Sequence, residues 1–60
     1  MIFRVMIERK EDVPIAEDII EVPVFVEGFF KIVLNGSFEI VYIPVDTISK
    51  ISVRKVVDNE

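Results

Sequence analysis

A mainly β fold is what this sequence predicts, from three observations. Val, Ile and Phe supply most of the apolar side chains, while Ala and Leu occur once each, and β-branched and aromatic side chains fit a pleated sheet better than a helix. The apolar positions recur at every second residue rather than at a period of 3.6. An Asn-Gly pair lies between two strand-like runs, the strongest short hairpin signal a sequence offers. With 60 residues, the chain is expected to form one small β domain over 1–60, a single antiparallel five-stranded sheet that is strongly bent or closed into a barrel.

Residues 2–9 alternate, with Phe3, Val5 and Ile7 on one side and Arg4, Met6 and Glu8 on the other, which predicts a half-buried first strand. The charges Arg9-Lys10-Glu11-Asp12 and then Pro14 take the chain out of the sheet. Residues 12–20 read either as a structured loop or as a short helix capped by Asp12, carrying Val13, Ala16 and Ile19 or Ile20 on one side. Between residues 19 and 34 the chain is densely apolar but interrupted by Pro23, which implies an edge or a bulge, and by Gly28. Gly28 marks either a tight turn between two strands or a sharp bend within one, since it lacks the Cβ that blocks both.

Asn35-Gly36-Ser37 predicts a hairpin. A three-residue loop sets Leu34 opposite Phe38, Ile32 opposite Ile40 and Phe30 opposite Tyr42, an all-apolar ladder. An Asn-Gly loop sets Ile32 opposite Glu39, and a Gly-Ser loop sets Leu34 opposite Glu39, so the three-residue register is preferred. Pro44-Val45-Asp46-Thr47-Ile48 predicts a turn of 3₁₀ helix or a β-turn. The last strand runs over 49–57, with Ile51 and Val53 inward and Ser52 and Arg54 outward, before a frayed tail Asp58-Asn59-Glu60.

Composition narrows function. The chain has no Cys and no His, so it lacks the most reactive nucleophile, the commonest general base and the usual soft metal ligands. Ser37, Thr47, Ser49 and Ser52 have no imidazole to activate them. No catalytic, cofactor-binding or metal-ligating residue is expected, and the reading is non-enzymatic. The acidic set Glu11, Asp12, Glu17, Asp18 and Glu21 matches no cation-loop spacing and reads as a solvated loop. Seven Lys and Arg against eleven Asp and Glu give net −4, the wrong sign for phosphate-backbone binding. No apolar run approaches the roughly 18 residues of a membrane span, and Met1-Ile2-Phe3-Arg4 lacks a signal pattern, so the expected compartment is the cytoplasm.

The order of parts, with a tight hairpin, a short 3₁₀ turn and a final strand, resembles a five-stranded SH3-like barrel. The phrase Tyr42-Ile43-Pro44-Val45-Asp46-Thr47-Ile48-Ser49-Lys50-Ile51 is similar to one near the end of PRC-barrel and other small SH3-like or Sm-like barrels. It covers about ten residues. The Sm-like resemblance implies RNA binding and ring assembly, but the Asp-x-x-Met-Asn pattern is absent and only Gly28 matches, so RNA binding is not carried over. An SH3 peptide groove has clustered aromatics facing an acidic loop. Glu11, Asp12, Glu17 and Asp18 suit the loop, yet there is no Trp and Tyr42 is predicted to face the core.

The surplus of apolar side chains carries the functional expectation. The preferred register leaves Phe29, Val33, Val41 and Ile43 on the second face of the hairpin, interrupted by Lys31 and Glu39, and contiguous apolar surface marks an interaction site. These four residues are the candidate protein interface of a self-associating or partner-docking module. The alternative is a nucleic-acid contact through Lys31, Lys50, Arg54 and Lys55, with Phe29 as a stacking face. Strand alternation weakens it by setting Arg54 and Lys55 on opposite faces. A third reading is an acidic inhibitor that masks a basic site through residues 11–21.

Overall fold

Strand β1, Phe3–Arg9, is the axis of the first sheet. Its alternation buries Val5 and Ile7 completely and leaves Met6 and Glu8 in solvent. The computed structural model describes residues 1–56; the final residue of the expected last strand, Val57, and the tail Asp58-Asn59-Glu60 lie outside them. After β1 come β2 (Ile15–Ile19), β3 (Val24–Val26), β4 (Phe29–Val33), β5 (Ile40–Pro44), a 3₁₀ turn (Val45–Thr47) and β6 (Ile48–Lys55). They form two antiparallel three-stranded sheets, in the orders β2-β1-β6 and β3-β4-β5. The fold is mainly β, as expected, but these pairings do not close into a barrel.

Residues 15–19 are a strand, neither the loop nor the helix that the charge cluster suggested. Ile15 pairs with Ile7 and Ile19 with Phe3, so both isoleucines cover the inner side of β1, and Ile19 is fully buried. Arg4 faces Asp18 in the same ladder, and its Nε donates to Asp18 Oδ1 at 2.8 Å. Long-range pairing with β1 outweighs the local charges. The run from 19 to 34 then divides at Pro23 and at the two-residue turn Glu27-Gly28. Both turn residues have positive φ, 47° and 88°, the pattern of a hairpin turn matched to strand twist. Gly28 is thus a turn rather than a bend.

The β4–β5 hairpin departs from the expected register by one residue. Ile32 faces Val41 and Phe30 faces Ile43, not Ile40 and Tyr42. The loop has four residues: the Leu34 amide donates to the Glu39 carbonyl at 2.9 Å and the Phe38 amide to the Leu34 carbonyl at 3.1 Å. Phe38 occupies φ 58° to make this possible. A one-residue slip exchanges the faces of a strand, so Val41 and Ile43 turn inward and Tyr42 outward. Burial explains the choice. Ile43 fills the core without a polar atom, whereas a buried Tyr42 hydroxyl would need a partner there. The mixed Leu34–Glu39 pair that argued against this register sits at the loop, where Glu39 stays solvated.

The core lies where the inner sides meet. It consists of Val5, Ile7, Ile19, Ile32 and Ile43, with Phe3, Ile15, Leu34, Val41, Ile48 and Ile51 packed around them. Ile51 joins that ring as expected, and Val53 faces Val5 on the same inner side as expected but stays 39% exposed at the sheet edge. Backbone bonds stitch the sheets together, Ile20 N–H to Val33 O at 3.1 Å and Asn35 N–H to Asp18 O at 2.9 Å, while Lys10 N–H to Thr47 O at 2.9 Å extends the β1–β6 ladder. No helix among the described residues is long and apolar enough to cross a membrane.

Candidate functional site

Register assigns each residue of the second sheet to a face. Opposite residues share a side, so the outer face carries the rows Val26, Phe29, Pro44 and Val24, Lys31, Tyr42, then Val33 with Ile40. Only Lys31 is charged. Phe29 is 42% exposed, Ile40 51% and Tyr42 54%, and Val24 and Val26 are exposed as well. Beyond the last row, the hairpin loop presents Phe38, 65% exposed.

The outer face of the first sheet has the opposite character. Its rows are Asp18, Arg4, Arg54, then Ala16, Met6, Ser52, and then Glu8 with Lys50. The Arg4 hydrogen bond holds the Asp18 carboxyl below its usual pKa, and Asp18 in turn raises the Arg4 guanidinium. One side of the molecule therefore carries charges of both signs around Ala16, Met6 and Ser52, with Arg4 and Asp18 paired, while the other side is apolar around one lysine.

The four residues expected to form one interface divide between faces. Phe29 and Val33 lie on the apolar outer face, but Val41 and Ile43 point inward, and Ile43 is 5% exposed. The residues that replace them outside are Ile40 and Tyr42, with Val24 and Val26 added by β3. The sequence signal for these was the plain alternation of β5, whose phase depends on a loop length that Asn-Gly-Ser does not fix. Among the basic candidates, Lys50 and Arg54 share the outer face of the first sheet, Lys55 is on its other side, and Lys31 is on the second sheet. The structure does not assemble them into one patch, and Phe29 accompanies only Lys31.

The acidic residues are spread out. Asp12 closes the β1–β2 loop on itself: its Oδ1 accepts from the Val13 amide at 2.8 Å and its Oδ2 lies 3.5 Å from Arg9, whose Nε donates to the Val13 carbonyl. Glu17 and Asp18 are on β2 and Glu21 follows it. Among the described residues no three carboxylates converge. Thr47 Oγ1 donates to the Pro44 carbonyl at 2.7 Å, Ser49 Oγ donates to Glu8 O at 3.1 Å, and Ser37 Oγ accepts from the Glu39 amide at 3.2 Å. These hydroxyls hold turns and strand ends. Compared with protein-family models, curated proteins and solved structures, the chain gives no match.

Proposed function

We propose that this chain is a non-enzymatic assembly module that associates with a second copy of itself through the apolar outer face of β3-β4-β5. The observation that carries the reading is the contrast between the two outer faces, since exposed contiguous apolar surface on one side only is the mark of an interaction site. A marginal 60-residue core favours the same conclusion, because association adds burial that one chain cannot supply. The architecture we propose is an incompletely closed SH3-like barrel, in which β2 and β3 are one strand bent at residues 20–23 and shared by both sheets. In support, β6 returns to pair with β1 after the 3₁₀ turn.

Size sets the strength. Three strands about 4.8 Å apart and five residues of about 3.4 Å each make a face of roughly 240 Å² in projection. A stable interface buries about 800 Å² on each partner. The face therefore supports a weak, concentration-dependent association. Lys31 offsets it further, because a two-fold axis through its row would set two ammonium groups together.

Light scattering across a concentration series tests the reading. The wild type is expected to rise above the 6.9 kDa of one chain, whereas Phe29→Asp is expected to stay lighter than the wild type at equal concentration. Ala16→Lys, on the exposed outer face of the first sheet, is expected to match the wild type. A wild-type mass of 6.9 kDa at every concentration overturns the proposal.

A further inference from the structure

The face alone is too small for a stable assembly, which directs attention to the strand edges. Two bonds of 2.9 Å, Leu34 N–H to Glu39 O and Val45 N–H to Gly28 O, fix the phase of the β4–β5 ladder. Alternate antiparallel pairs exchange hydrogen bonds, so Val41 and Ile43 bond to β4, and the N–H and C=O groups of Ile40 and Tyr42 point off the sheet. Pro44 falls in the same phase, where its missing N–H leaves no ladder bond unmade. In β6, the Val56 N–H to Ile2 O bond of 2.9 Å sets the phase likewise. Ser52 and Arg54 bond to β1, while the backbones of Ile51, Val53 and Lys55 point outward. β5 and β6 each end their sheet, so both edges lack a strand partner among the described residues.

Beside the β5 edge is a cleft of about 420 Å³, with Val41, Tyr42 and Ile43 on one side and Glu11, Asp12 and Ile15 on the other. Asp12 is paired with Arg9, while Glu11 has no ion-pair partner among the described residues.

We infer that the free edge of β5 takes up the free edge of β6 from a second copy of this chain, as an added antiparallel strand. The inference rests on the self-association proposed above, and it names a second contact with different symmetry. Parity alone fixes the side chains, whatever the exact register. The bonding residues Ile40 and Tyr42 must face Ile51, Val53 or Lys55 of the second copy, so opposite residues put Ile51 and Val53 beside the apolar face. Lys50 and Arg54 of that copy then project on the cleft side, where Glu11 stands. Ile51 and Val53 meet the apolar face, with Lys55 of the same parity beyond them at the strand end, and Lys50 and Arg54 meet Glu11. Because β5 and β6 are different surfaces, the contact is head-to-tail and propagates to chains or a closed ring.

Chemical synthesis of the 60-residue chain allows a test that leaves every side chain in place. One chain carries N-methyl-tyrosine at position 42 and another N-methyl-valine at position 53. Neither amide bonds within its own sheet, so each methyl group blocks only an edge. Each chain is expected to scatter as a lighter species than the wild type at equal concentration. An equimolar mixture, with one intact edge of each kind, is expected to be heavier than either chain alone. Wild-type mass in both chains, or a mixture no heavier than its components, overturns the edge contact. If Phe29→Asp lowers the mass in the same experiment, the face reading survives that result. Amide exchange in the unmodified chain gives a second readout. The Ile40, Tyr42 and Val53 amides are expected to exchange about tenfold or more slowly in the assembled than in the diluted protein, since assembly converts solvated edge donors to bonded ones. Rates independent of concentration overturn the inference equally.

Discussion

Gly28 offers a test of the turn that divides β3 from β4. Its φ is 88°, and a Cβ built on it in the L configuration meets nothing within 4 Å. Replacement by L-alanine therefore creates no collision with neighbouring atoms, and its cost is that of holding an L residue in the left-handed region, about 1–2 kcal/mol. Unfolding entropy near 2.1 cal/mol/K per residue gives about 0.13 kcal/mol/K for a domain of this length, so the melting temperature should fall by about 8–15 °C. D-alanine at the same position prefers positive φ and removes the freedom of glycine from the unfolded chain, which is worth about 0.4–1 kcal/mol. Its melting temperature should rise by about 3–8 °C by the same conversion. The assay is thermal unfolding of the two synthetic chains beside the parent, at one concentration so that association contributes equally. The opposite signs are the essential result. If both alanines lower the melting temperature equally, the glycine is needed for space rather than for handedness and the reasoning is wrong.

Glu27 shares that turn at φ 47°, and Glu27→Asn, which suits the left-handed region better, should raise the melting temperature by a few degrees. Ile32→Ala in the core should cost about 2–5 kcal/mol, against a total of about 3–9 kcal/mol for a domain of this length, so urea titration should place its unfolding midpoint at about half the wild-type denaturant concentration or lower. The Asp18 pKa is held down by Arg4 in the folded chain, so its contribution is present above the unfolded value near 3.8 and is lost as pH falls through the lower folded one. Stability of Asp18→Asn measured against pH should accordingly decline less steeply than that of the wild type below about pH 4. Lys31→Met removes the one charge from the apolar face and should shift self-association to lower concentration, read by light scattering.

The first sheet was legible where pattern and burial agree. The alternation of Phe3, Val5 and Ile7 named the inner side of β1, and the Pro-containing phrase at 44–48 placed a turn, 3₁₀ or β, where the 3₁₀ turn lies and set the final strand one residue late, at 49 rather than Ile48. β2 was not legible. Its five residues include Ala16, Glu17 and Asp18, and nothing local distinguishes Ile15 and Ile19 as strand positions until β1 is present to pair with them. The hairpin shows a different limit. Asn35-Gly36 located the loop correctly, but the length of that loop depended on Phe38 accepting a positive φ, which is unusual for a bulky residue. One residue of loop length reversed the phase of β5 and with it half of the candidate interface.

That reversal also relates stability to function. With four loop residues, Val41 and Ile43 complete the core and Ile40 and Tyr42 join the exposed face. With three, Tyr42 would enter the core with its hydroxyl, and Val41 and Ile43 would form the outer surface. The strained Phe38 is thus the local cost of a register that is better for burial, and the apolar outer face is a consequence of that same register. A substitution that relaxes position 38 without changing loop length, such as Phe38→Asn, should leave the Ile32–Val41 pairing intact, as judged by cross-strand Hα contacts in nuclear magnetic resonance. Association should then change only through the lost ring at the end of the face. If instead Ile32 moves opposite Ile40 in that variant, the register is set by Phe38 itself and not by what the core can bury.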